Sequence, residues 1–241
     1  MMRKIVFLGD SLTADNLEFS WARQLCQELN LGYHNLAVGA GNNRTQVLLL
    51  QHYLLSDEYG SDDIFFWEIN AVSRFNTVLT PEIQIGPINM IQNLKDKSTD
   101  PLCQYQKQLP NVFDKEKLSV MLCQDANSFE REIVDPYGLQ SIAEVVLQET
   151  VAHIVLLAAA GHNVLCTLGW EQAVAEKDRP MLQHLLNKDK VQFIEYGMLD
   201  WCVKQNLPLA DDMHPNQISA TPVWARTHLM PRLRNIIEED K

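Results

Sequence analysis

Short apolar runs at 5–8, 33–38 and 62–69 alternate with stretches whose apolar positions recur every four residues. The first run, Ile5-Val6-Phe7-Leu8, is of the kind that fills a strand covered on both faces. After it, Leu17, Trp21, Leu25 and Leu29 share one helical face. Asp15 or Asn16 is placed to cap the start of that helix and Gly32 to end it. A second helix is predicted over 45–55, and Ile64-Phe65-Phe66-Trp67 is the apolar centre of a third strand. Strand, helix, strand, helix, strand in that order predicts a parallel sheet with right-handed crossovers. Both faces of such a sheet must be covered, so the expected fold class is α/β, a three-layer α/β/α sandwich around a central parallel sheet of about five strands.

The later sequence resumes the alternation. A long helix is predicted over 137–160 and stopped by Gly161, then a strand over 162–168, a helix over 171–186 and a strand over 191–194. A short helix over 198–205 follows, then a final helix with Trp224, Leu229 and Leu233 turned inward. Between 71 and 136 the rhythm breaks, with Pro81, Pro87, Pro101, Pro110 and Pro136 punctuating it. The chain therefore reads as a single domain over 1–241 with an insertion at about 71–136. That insertion is either a lid over the strand ends or a plain irregular connection, although so long a structureless loop is unusual.

Charge and cysteine usage narrow the function classes. The net charge of −11 argues against nucleic acid or an anionic membrane surface as the main partner, because both need basic patches. The most apolar segment, 151–160, contains His153 and is too short to span a bilayer. Met1-Met2-Arg3-Lys4 resembles the charged start of a signal peptide, but the apolar run behind it is too short for one, so a cytoplasmic protein is expected. Cys26, Cys103, Cys123, Cys166 and Cys202 are scattered without a Cys-x-x-Cys pair, which fits reduced thiols and no zinc site.

Polar residues that carry chemistry gather where predicted strands end. Gly9-Asp10-Ser11 closes the first strand at the mouth of a helix, where a serine hydroxyl is held rigidly near main-chain N–H groups. An ordinary strand exit has the same appearance. The second strand runs into Gly39-Ala40-Gly41-Asn42-Asn43-Arg44, a loop suited to leaving N–H groups unpaired. The third ends at Glu68-Ile69-Asn70. Far along the chain, Asp211 precedes His214 by three residues, and Pro215 holds His214 extended just before a helix. A carboxylate so placed can orient an imidazole towards a nucleophile, and a helix-capping Asp beside a surface His is the alternative.

Taken together, Gly9-Asp10-Ser11-Leu12 and Asp211-Asp212-Met213-His214-Pro215-Asn216 resemble the blocks of the SGNH (GDSL-type) serine hydrolase family, and the resemblance spans almost the whole chain. It implies a flavodoxin-like sheet, Ser11 as nucleophile, His214 as general base and Asp211 as its orienting partner. It also implies an oxyanion hole made by Ser11, by Gly39 or Gly41, and by Asn70. The block Trp67-Glu68-Ile69-Asn70-Ala71 departs from the family's Gly-x-Asn-Asp, with Glu68 in place of the glycine and Ala71 in place of the aspartate. The Glu68 side chain is expected to point away from the site. Arg44 and Arg74, which follow the glycine and asparagine blocks, are candidates for holding an anionic group of the substrate, with surface ion pairs as the alternative. The other histidines, and the aromatics Phe66, Trp67 and Phe75, read as structural. The resemblance implies an esterase acting on a small acyl ester, acetyl included, of a carbohydrate or other alcohol, with no metal or cofactor. An acyltransferase on the same fold and a catalytically inactive carbohydrate-binding descendant are the alternatives. Oligomeric state is not legible.

Overall fold

The computed structural model describes residues 3–14, 20–37, 43–70, 75–80, 83–88, 139–169, 174, 179–210, 214–216 and 218–239. The first apolar run forms β1 (Lys4–Leu8), followed by α1 (Trp21–Leu29), β2 (Gly32–Asn35), α2 (Asn43–Leu54) and β3 (Ile64–Ile69). After β4 (Phe75–Thr80) and β5 (Ile83–Ile88) come α3 (Leu139–Ala159), β6 (Val164–Leu168), α4 (Arg179–Leu186), β7 (Val191–Ile194) and α5 (Met198–Lys204). A last rod is built of α6 (Thr221–Trp224), a π-helical turn (Ala225–Leu229) and α7 (Met230–Glu239).

Five strands form one sheet in the order β2-β1-β3-β6-β7, and every pairing in it is parallel. The period-two alternation of side chains divides the core. Ile5, Phe7, Ile64, Phe66 and Leu165 face one cluster with Trp21, Leu25, Trp224 and Leu233. Val6, Leu8, Phe65, Trp67 and Cys166 face another with Leu50, Ile154 and Leu182. Helices thus cover both faces, which is the expected three-layer α/β/α arrangement. From β1 the chain steps to β2 on one side and then crosses to β3 on the other. The winding direction therefore reverses between β1 and β3, and the carboxyl ends of those two strands border the crevice where such sheets bind ligands. Ser11 follows β1 there and Asn70 follows β3.

Several boundaries differ from the sequence expectation. The first helix begins at Trp21, with the Ser20 side chain accepting a hydrogen bond from the Arg23 N–H, and residues 15–19 lie outside the described set. It ends at Asn30, left-handed at φ 54°, rather than at Gly32, which opens β2. Gly32 is needed for room, since a Cβ there would stand 2.7 Å from the Cβ of Lys4. Of the stretch 71–136, β4 and β5 pair antiparallel as a separate two-stranded sheet, an element the proline-rich sequence hid. Residues 89–138 lie outside the described set, and most of the insertion with them. Among the described residues no helix is long and apolar enough to cross a membrane.

Trp21 joins the core to the turn that follows β1. It packs edge-on against Phe7, Phe66 and Trp224, with ring centroids 5.6, 5.7 and 6.1 Å away. Its indole N–H donates to the Leu12 carbonyl at 2.9 Å. Trp21→Ala should lower the unfolding free energy in urea by about 3–5 kcal/mol, the range for emptying a large aromatic site. A loss under about 1 kcal/mol would mean that this face of the sheet does not depend on it.

Candidate active site

Ser11 sits in a tight turn whose polar groups are nearly all engaged. The Asp10 carbonyl accepts from the N–H groups of Thr13 (3.1 Å) and Ala14 (2.6 Å), and Asp10 Oδ1 accepts from Leu12 N–H at 3.0 Å. The Leu12 carbonyl is held by Trp21 and the Thr13 carbonyl by the side-chain amide of Asn35, at 3.0 Å. A turn fixed at so many points holds the serine hydroxyl in one place, which is what a nucleophile needs. Gly9 serves this turn by being small, since it has no positive φ. A Cβ there would lie 2.5 Å from Glu68 Oε2 and 2.7 Å from the Thr13 Cβ.

The hydroxyl of Ser11 meets an imidazole from the far end of the sequence. Ser11 Oγ lies 2.7 Å from His214 Nε2, although the residues are 203 apart in the chain. The main chain around His214 forms a narrow hairpin, in which Ala210 N–H donates to the His214 carbonyl at 2.7 Å and Asn216 N–H to the Pro208 carbonyl at 2.9 Å. Leu209 and Pro215 bridge across it. Asn216 fastens the following turn, its Oδ1 accepting from the N–H groups of Ile218 and Ser219 at 3.0 and 3.1 Å. Pro215 and Asn216 thus fix the backbone from which the ring projects. With the ring proton on Nδ1, Nε2 accepts the serine hydroxyl and can take its proton.

At the end of β3, Asn70 is fully buried. Its main chain is gripped by the Asn43 side chain at the start of α2. Asn43 Oδ1 accepts from Asn70 N–H at 2.8 Å, and Asn43 Nδ2 donates to the Asn70 carbonyl at 2.9 Å. One residue pair further, Gln46 Nε2 donates to the Glu68 carbonyl at 3.3 Å. Neither amide was singled out in the sequence. The available signal was two carboxamides one helical turn apart in the helix that follows the glycine loop.

Glu68 does not point away from the site. Its carboxyl, completely buried, runs under the turn that carries Ser11. Oε2 accepts from the Thr13 hydroxyl at 2.5 Å and from Asp10 N–H at 3.3 Å. Gly9 and Gly169 clear the space, and a Cβ on Gly169 would stand 2.5 Å from Glu68 Oε1. Burial first, and then the Asp10 carboxylate beside it, push the Glu68 carboxyl well above the usual carboxylate range.

Of the other residues expected at the site, Gly39, Gly41, Asp211 and Arg74 lie outside the described set. Arg44 lies in the first turn of α2, and its side chain is likewise outside that set. His162, read as structural, lies with Nε2 2.8 Å from the Tyr59 hydroxyl and Nδ1 3.0 Å from the Asp63 carbonyl, in the lower part of the fold. Cys26, Cys166 and Cys202 are buried free thiols, and burial pushes Cys26 up to about 12 and Cys202 to about 11, which leaves them unreactive. Among the described residues no group of His, Cys, Asp and Glu is placed to hold a metal ion.

Two outcomes follow for stability. Asn43→Ala strands two buried main-chain groups of Asn70 and should cost about 1–3 kcal/mol or more in urea unfolding. An unchanged midpoint would show that the clamp contributes nothing. Glu68 binds its proton more tightly folded than unfolded, so its contribution is complete below the ordinary carboxylate range and declines as pH rises through its raised folded value. Glu68→Gln should flatten that decline in a thermal-unfolding series, and an identical slope in both proteins would contradict the assignment.

No protein-family model matches this chain, and no curated protein does. Among solved structures it is similar to the Bacillus subtilis protein YxiM, with a TM-score of 0.49 and 14% identity over 98% of this chain and 57% of that one. It is also similar to an acetyl xylan esterase from the rumen bacterium Butyrivibrio proteoclasticus, with a TM-score of 0.41 and 13% identity over 98% of this chain and 64% of the other. The chain spans less than two thirds of the length of each. These likenesses say nothing of substrate or of the roles of Ser11 and His214.

Proposed function

We propose that this chain is a serine esterase that hydrolyses a small acyl ester, acetyl included, of a carbohydrate or other alcohol. The observation that carries the reading is the 2.7 Å approach of Ser11 Oγ to His214 Nε2 beside the crevice between β1 and β3. A hydroxyl and an imidazole brought together from opposite ends of the chain, each on a backbone fixed by its own hydrogen bonds, suit nucleophilic catalysis. The position of Glu68 also supports an active enzyme over an inactive descendant. Its side chain lies beneath the turn and leaves the Ser11–His214 contact intact.

In this reading His214 Nε2 takes the proton from Ser11 as Oγ bonds to the ester carbonyl carbon. The carbonyl oxygen becomes an oxyanion, stabilised by Ser11 N–H, a Gly39 or Gly41 N–H and the Asn70 side chain. The tetrahedral intermediate collapses, the C–O bond to the alcohol breaks, and His214 returns its proton to the leaving oxygen. Water, deprotonated by His214, then attacks the acyl-enzyme and releases the acid and the Ser11 hydroxyl. Asp211 holds the imidazolium formed in each half-reaction, and Arg44 and Arg74 stand by for an anionic group on the substrate.

A fluorophosphonate probe should label the wild type and spare Ser11→Ala. On acetyl esters Ser11→Ala and His214→Ala should each lower kcat by roughly four orders of magnitude or more, and Asp211→Asn by about 10⁴-fold. Equal labelling of wild type and Ser11→Ala, or turnover indifferent to His214, would sink the reading. An acyltransferase would instead partition its acyl group to a sugar alcohol in preference to water.

A further inference from the structure

We propose that Glu68 is a positioning residue for Ser11, a buried strut that fixes the nucleophile turn from beneath through Asp10 and Thr13. The inference rests on the esterase reading for its kinetic consequence only. The geometry holds whatever the reaction.

Ser11 lies between the two residues that Glu68 grips. Oε2 takes the Asp10 N–H on one side and the Thr13 hydroxyl on the other, and the Asp10 carboxylate in turn takes the Leu12 N–H. Asp10, Leu12 and Thr13, the positions on either side of the nucleophile, are therefore tied, directly or through Asp10, to the end of β3. That same strand end carries Asn70 one residue pair further on. The strut thus fixes the distance between Ser11 and the asparagine assigned to the oxyanion.

A neutral carboxyl suits this place. Burial and the Asp10 carboxylate beside it both work against an ionised carboxyl there. Glu68 Oε2 accepts from both sides of Ser11, which the carbonyl oxygen of a glutamine side chain can also do. Alanine cannot. Packing alone makes no such distinction, so the pair of substitutions separates a strut from a filler.

The test compares Glu68→Ala and Glu68→Gln with the full-length wild type on p-nitrophenyl acetate. In Glu68→Ala kcat should fall by about 10–100-fold with KM within threefold, since a displaced nucleophile is a loss in the chemical step. Glu68→Gln should restore kcat to within threefold of the wild type. A Glu68→Ala enzyme with wild-type kcat, or a glutamine variant as impaired as the alanine one, would overturn the proposal. Amide hydrogen exchange over residues 10–14 is read in the same proteins and needs no turnover. Protection there should drop in Glu68→Ala and persist in Glu68→Gln, and unchanged protection in Glu68→Ala again overturns the strut. Should the wild type show no Ser11-dependent turnover, the esterase reading fails while the exchange data still decide the role of Glu68.

Discussion

Strand β3 runs through the middle of the sheet with β1 on one side and β6 on the other, and helices cover both its faces. Where it leaves the ladder its main-chain groups are still buried, and water is not there to satisfy them. Asn43 and Gln46 supply the missing partners, so the start of α2 acts as a short continuation of the sheet made from side chains. On the other side Glu68 supplies partners to the turn after β1. The site thus depends on one physical demand, that buried polar groups at a strand end be paired. The residues that meet it also set where the chain's chemistry-bearing groups stand.

Much of the fold was legible because short apolar runs alternate with stretches of helical spacing. The runs at 5–8 and 64–67 mark strands covered on both faces, and the structure sends Ile5 and Phe7 one way and Val6 and Leu8 the other. The four-residue spacing located α1 but misplaced its ends, because Ser20 and Asn30 compete with Asp15 and Gly32 on equal terms in sequence. The hairpin of β4 and β5 was hidden because Pro81 and Pro87 mask the pattern of short strands.

The site was legible in its types and less so in its supports. Ser11 and His214 drew notice through the pairing of Gly9-Asp10-Ser11-Leu12 with the distant block at 211–216, since a serine at a strand exit and a histidine before a proline are each ordinary alone. Glu68 was misread because alternation gives the face a side chain takes but says nothing of the space it meets. That space depends on Gly9 and Gly169, the second of which lies in another strand's exit loop. Asn43 was missed because an asparagine beside glycines reads as loop chemistry. Its role appears only when α2 is laid against the end of β3.

The glutamate between two glycines couples positions that lie far apart in the sequence. A side chain at 169 and a carboxyl at 68 claim the same space, so the acid is accommodated only while position 169 stays small. Losing Glu68 empties a buried hole beside the Asp10 N–H and the Thr13 hydroxyl, and enlarging Gly169 drives into the carboxyl. Such a pair is coupled, and a change at either position alters what the other tolerates. Descendants of this chain are expected to keep or lose Glu68 and Gly169 together.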